Sequence, residues 1–147
     1  MILLVYHSQS GACAKLAAAV KEGASKACHV TVKRACDTEA QDLWRAGAVL
    51  FVAAENSGAL AGEMKALLDR SLYPYLDQAA LIPAALLVSA GNDGRGAAAQ
   101  FERIAKGFPF KLMNQTEILR GDPQPDQLEF ARAWGEALAE GVNMGIF

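Results

Sequence analysis

The sequence predicts an α/β protein: a parallel sheet of five strands alternating with five helices that cover both of its faces. Three observations lead there. Short apolar or β-branched runs recur at 2–6, 29–33, 48–54, 84–89 and 110–119. Between them lie stretches whose apolar residues return every three or four positions, the period of a helix with one buried face. The turns after the first, third and fourth runs are the most polar and glycine-rich of the first hundred residues. Such alternation is satisfied by right-handed crossovers, which set helices on both sides of a parallel sheet.

Ile2 to Tyr6 is continuously apolar, as a central strand covered on both faces must be. A polar turn follows His7, and a helix begins near Gly11, with Leu16, Val20 and Ala24 four apart and Ala17 beside them. His29 to Lys33 alternates and is β-branched at Val30, Thr31 and Val32, which predicts a second strand toward the sheet edge. Thr38 to Arg45 reads as a short helix with Thr38 as its N-cap. Ala48 to Ala54 is a third, buried strand, followed by the loop Glu55-Asn56-Ser57-Gly58. Leu60 to Leu72 carries Met64, Leu67, Leu68 and Leu72 on one helical face. Pro83 opens a fourth strand, Ala84 to Ser89, which runs into a glycine-rich loop ending at Gly96. A fourth helix has Phe101, Ile104 and Phe108 in register, and Phe110 to Leu119 is a fifth, less regular strand. After Gly121-Asp122-Pro123 the last helix shows Leu128, Ala131, Trp134, Leu138 and Val142 at three- and four-residue steps. Trp44 and Trp134 take core or interface positions by spacing. No linker, repeat or low-complexity segment interrupts the pattern, so one domain over 1–147 is expected.

Composition narrows the function classes. With 52% hydrophobic and 20% charged residues the chain builds a compact core and is not a disordered protein. The longest apolar run, Ala79 to Val88, is broken by Pro83 and too short for a membrane span. The first residues read as a strand, with no basic segment ahead of them and no cleavage site after, so no signal peptide is expected. Net charge is −2, and the Lys and Arg residues are scattered without interleaved aromatics, which argues against a nucleic-acid partner. Cys13, Cys28 and Cys36 form no C-x-x-C pair, and His7 and His29 are the only histidines. Neither a disulfide framework nor a metal site is expected, and a reducing cytoplasm is the simpler location. His29 reads as a strand residue and His7 as a strand-end residue near a ligand.

In sheets of this kind ligands bind at the carboxyl ends of the strands, where strand order reverses. The first such loop, Ser8-Gln9-Ser10-Gly11-Ala12-Cys13, has no charged side chain. Its hydroxyls and the free N–H groups at the helix start suit a phosphate. The same spacing suits a serine-capped turn, and spacing alone does not separate the two. The loop is neither a P-loop, whose Gly-Lys-Ser/Thr is absent, nor a dinucleotide G-x-G-x-x-G. Asp69 and Arg70 admit a catalytic reading but read better as a structural ion pair or helix-end charge near subunit or loop contacts. Tyr73 and Tyr75 are placed to reach a neighbouring site.

Ser8-x-Ser10-Gly11 after a first strand resembles the [S/T]-x-[S/T]-G-x-[S/T] phosphate loop of flavodoxins. Glu55-Asn56-Ser57-Gly58, then Gly62-x-Met64-Lys65 and Asp69-Arg70, resembles the second loop and helix of a flavodoxin-like oxidoreductase group. Ser89-Ala90-Gly91-Asn92-Asp93-Gly94-x-Gly96-Ala97 resembles the third loop of that group. The motifs span residues 1 to about 108 in register. The resemblance implies a flavodoxin-like three-layer sandwich, a five-stranded parallel sheet in the order 2-1-3-4-5, and FMN as cofactor. It implies that Ser8, Gln9, Ser10, Gly11, Ala12 and Cys13 surround the FMN phosphate. Ala54, Glu55, Asn56, Ser57 and Gly58 would flank one side of the ring, and Gly91, Asn92, Asp93 and Gly96 the other. The third loop is compatible. Its glycines permit positive φ and a close approach of backbone to a flat ligand. Asn92 and Asp93 can fix the turn, as in any surface turn capping a helix, or contact the ring edge.

Three departures stand out. Cys13 replaces the third hydroxyl and is a weak donor, Ala53-Ala54 replaces an expected Thr-Pro pair, and no aromatic residue occurs in 55–58 or 91–96. The function implied is an FMN-dependent oxidoreductase taking hydride from NAD(P)H to a small acceptor such as a quinone or another flavin, with a homo-oligomer compatible. One alternative is an electron-carrier flavodoxin docking to a redox protein, against which a net charge of −2 counts, because such carriers steer encounter with strong acidity. Another is a flavodoxin-like domain that has lost FMN. A phospho-receiver domain is set aside, since only Glu55 lies near the required acidic cluster.

Overall fold

The computed structural model describes residues 1–147. Successive side chains of a strand point to opposite faces, and this divides the apolar residues between two cores. Strands β1 (Ile2–Tyr6), β3 (Ala48–Asn56) and β5 (Pro83–Ala90) form the centre of the sheet. Leu3, Val5, Phe51, Leu86 and Val88 face one core together with α2 (Ala40–Arg45), α3 (Gly62–Leu76) and α4 (Arg95–Gly107). Ile2, Leu4, Leu50, Val52 and Leu87 face the other, against α1 (Ala12–Ala24) and α5 (Pro125–Asn143). The three layers follow directly from that alternation. No helix is long and apolar enough to cross a membrane.

The sheet runs β2 (Val30–Arg34), β1, β3, β5, β6 (Lys111–Leu112), each neighbour parallel, with β7 (Glu117–Arg120) also parallel on β5. The path agrees with the expected order, but the sheet has seven strands instead of five. The expected strand Phe110–Leu119 is split in two. Leu112 pairs with Ala84 and Glu117 with Leu87, so five steps on one side oppose three on the other. Two residues too many cannot stay in the ladder, and the polar stretch Asn114-Gln115-Thr116 bulges out.

The seventh strand is β4 (Ala59–Leu60), antiparallel to the end of β3, with Glu55 opposite Leu60 and Asn56 opposite Ala59. Ser57 and Gly58 both have positive φ, 51° and 76°, as a two-residue type I′ hairpin turn requires. Leu60 is therefore a strand residue, and the helix expected from Leu60 begins at Gly62.

Other expectations are corrected by competing hydrogen bonds. Thr38 does not cap α2. It is buried and its hydroxyl donates to the Arg34 carbonyl at 2.8 Å, while Glu39 and Asp42 form the reciprocal box at the helix start. Asp69 and Arg70 are structural, as expected, but with other partners than each other. Asp69 accepts from Lys65 at 2.6 Å, and Arg70 donates to the carbonyls of Ala35 (2.7 Å) and Thr38 (3.0 Å). His29 falls just outside β2, where its carbonyl accepts the Ile2 N–H at 2.8 Å. Tyr75 is fully buried, and its hydroxyl accepts the Ile82 N–H at 3.3 Å just before β5. That is the opposite end of the sheet from the three polar loops.

Candidate functional site

The chain leaves β1 toward β2 on one side and returns to β3 on the other, so strand order reverses between β1 and β3. A cleft of about 470 Å³ opens at the carboxyl ends there. This falls in the range of about 300–1,000 Å³ common to small-molecule sites. Ser8, Gln9, Ser10, Ala12 and Cys13 line it from the first loop, Ala54, Glu55 and Asn56 from β3, and Ser89, Ala90 and Gly91 from the end of β5. Gly121 and Asp122 close it from the turn after β7.

The first loop is built to leave donors unspent. Gly11 takes the left-handed conformation, φ 99°, at the N-cap of α1, and its N–H donates to the Ser8 hydroxyl at 3.1 Å. No side chain accepts from the first turn of α1, and no acid lies within that turn. Its N–H groups therefore face the cleft with the positive end of the helix dipole. The other helices are provided for differently. α2 and α5 have reciprocal capping boxes, and α3 carries Glu63 in its first turn. At α4 the Glu55 carboxylate accepts the N–H groups of Gly94 (3.2 Å) and Ala97 (3.3 Å).

Cys13 sits buried in the first turn of α1, and burial pushes its thiol up to about 11, partly offset by the Ser89 side chain. It is a neutral thiol near neutral pH and sets no negative charge against an anion. Asn56 donates to the Gln9 side-chain oxygen at 2.7 Å, joining the first loop to the second.

Not all of the expected residues share one wall. Ser57, Gly58, Asn92, Asp93 and Gly96 line a second cleft of about 560 Å³, which shares Glu55 and Gly91 with the first and adds Arg95. Gly96 is fixed by packing, since a Cβ there would overlap the Gly58 carbonyl. The Asp93 carboxylate accepts the Arg95 N–H at 3.0 Å and so fixes the turn into α4. Gly11 faces a third cleft behind the loop, with Tyr6, His7, Arg34 and Cys36. Sequence reasoning missed Ser89, Ala90, Gly121 and Asp122 as cleft residues. The rule that ligands gather at carboxyl ends, applied to the last residues of β5 and to the turn after the last strand, would have found them.

No protein-family model matches the chain, and no curated protein sequence matches it. Solved structures do. A flavodoxin from the domain Archaea superposes with a TM-score of 0.81 at 22% identity, over 96% of this chain and 97% of that one. A flavodoxin, WrbA-like protein from Agrobacterium tumefaciens gives 0.80 at 20% identity, over 97% of each chain. The Flv1 flavodiiron core from Synechocystis sp. PCC6803 gives 0.81 at 20% identity over 98% of this chain, which spans 36% of that longer one. The chain has the flavodoxin-like fold.

Proposed function

We propose that the protein binds FMN in the first cleft and acts as an oxidoreductase between NAD(P)H and a small acceptor such as a quinone. The observation that carries this is the uncapped N-terminus of α1, opening into the cleft behind an uncharged serine loop. A phosphate dianion there would meet the Ser8 and Ser10 hydroxyls and the first-turn N–H groups, each dipole contact contributing roughly 0.3–2 kcal/mol. The α4 N-terminus is not an equal candidate, because the Glu55 carboxylate already holds it.

The rest of the cleft fits the group. Ala54, Glu55 and Asn56 on one side and Gly91 on the other supply walls without an aromatic lid, and a Cβ at Gly91 would meet open space. Ser89 and Asp122 on the remaining wall suit the hydroxyls of a ribityl chain. Bound FMN would supply the redox chemistry, and the protein would supply position and hydrogen bonding. The walls need no side-chain acid, base or nucleophile for that role. A net charge of −2 supports small-molecule partners over docking of a redox protein through surface charge.

The test has two stages. FMN is titrated into wild type and Ser10→Asp, following the visible spectrum and flavin fluorescence. Wild type should bind, and the variant, with an added charge against the phosphate, should not. Equal titration curves would remove the phosphate assignment. The loaded protein is then mixed anaerobically with NADH or NADPH. Bleaching of the flavin band, restored by a soluble quinone, is the expected result. Reduction only through a flavodoxin reductase would replace the enzyme with a carrier.

A further inference from the structure

We propose that the second cleft takes the phosphate-bearing part of the reducing dinucleotide, with Arg95 as its cationic anchor. This rests on FMN occupying the first cleft. The two clefts share Glu55 and Gly91, so a ligand seated over the first continues into the second without leaving the protein surface. The second cleft, of about 560 Å³, is lined by no apolar side chain. Such a surface suits a ribose-phosphate chain better than an apolar ring.

Three charged residues border it, and two are engaged. Glu55 accepts from Gly94 and Ala97, and Asp93 accepts from the Arg95 backbone N–H. The Arg95 guanidinium makes no ion pair, unlike Arg34 and Arg132, which are held by carboxylates. A guanidinium presents a planar fork of donors that matches phosphate oxygens two at a time. Ser57 and Asn92 add neutral groups for ribose hydroxyls. With two carboxylates near, free inorganic phosphate gains little here. A phosphate tethered to a ring already in place gains more, through its high effective concentration.

The experiment compares wild type with Arg95→Ala and Arg95→Lys, each loaded with FMN, with flavin fluorescence as the check that FMN is held. Binding of NAD⁺ and NADP⁺ is measured by calorimetry. Flavin reduction is followed with NADH, NADPH and the uncharged donor 1-benzyl-1,4-dihydronicotinamide. Arg95→Ala should weaken dinucleotide binding about tenfold, as for one charge-assisted hydrogen bond lost, with Arg95→Lys in between. The advantage of NADH or NADPH over the benzyl donor should shrink by the same factor. Unchanged binding, or an equal loss with all three donors, would overturn the assignment. Dinucleotide binding that vanishes in Arg95→Ala, while neither NADH nor NADPH reduces wild type, would keep the site and remove the reductase reading.

Discussion

The carboxylate of Glu55, at the end of β3, accepts the backbone N–H of Gly94 at 3.2 Å, at the start of α4. Its second oxygen accepts from Ala97 at 3.3 Å. One side chain thus ties the second polar loop to the third and satisfies the helix end that would otherwise compete for an anion. Glu55 borders both clefts, and each of its carboxylate oxygens accepts a backbone N–H of the third loop or α4.

Removing that link should loosen both loops. Glu55→Ala is expected to cost about 1–3 kcal/mol in urea unfolding, the range for hydrogen bonds to a charged acceptor discounted for partial exposure. Amide exchange at Gly94 and Ala97 should accelerate selectively, while the sheet amides follow global stability. Uniform acceleration would mean that Glu55 contributes only bulk stability.

What could be read from the sequence follows the range of the forces involved. The layers and the order of the main strands and helices rest on local periodicity, and the fold reproduces them. Leu60 reads as helical because an apolar pair precedes a helix, whereas its strand geometry comes from pairing with Glu55 across a hairpin. Thr38 had the right chemistry for a cap, but the Arg34 carbonyl claims its hydroxyl. Ser89 enters the cleft only because β5 lies beside β3, so its side chain reaches Cys13 from a distant part of the chain. Gly58 and Gly96 show the same limit. Their contact is fixed by tertiary packing and leaves no local mark in either motif.

Glycines on α1 and α5 set how closely those helices approach. A Cβ on Gly135 would overlap the Val20 carbonyl, and one on Gly23 the Arg132 carbonyl. Gly135→Ala should destabilise by about 1–3 kcal/mol through overpacking against rigid backbone. At Gly107, the end of α4, an added Cβ would have nothing within 4 Å, so Gly107→Ala should gain about 0.5–1 kcal/mol from helix propensity. Thermal melts of the two variants should move in opposite directions. A shared direction would break the packing account.

The left-handed turn at Gly11 makes a different demand. A Cβ there meets open space, so substitution strains the backbone without a clash. Gly11→Ala is expected to cost about 1–2 kcal/mol for placing an L-residue at φ 99°. Because this turn orients the first N–H groups of α1, FMN affinity should fall along with stability. Asn at the same position tolerates the left-handed region better, and Gly11→Asn should recover part of both. Loss of affinity with full retention of stability would point to steric exclusion of the ligand instead.

Cys13 links the cleft to pH. Its thiol is raised from an ordinary 9.0 to about 11 by burial, with the Ser89 side chain pulling the other way. Between those values the folded protein keeps a proton that the unfolded chain has lost, so stability falls as pH rises. The contribution is fully present below pH 9 and gone once the pH has passed about 11. A shift of that size corresponds to ~2–3 kcal/mol at most. Burial raises Tyr75 as well, so part of any alkaline loss belongs to that residue. Urea midpoints of wild type and Cys13→Ala, taken from pH 8 to pH 11, separate the two. Wild type should lose more stability over this window than the variant, and Cys13 should react with iodoacetamide at neutral pH far more slowly than the exposed Cys36. Parallel midpoint curves would show that the thiol titrates alike in both states and that its burial imposes no such cost.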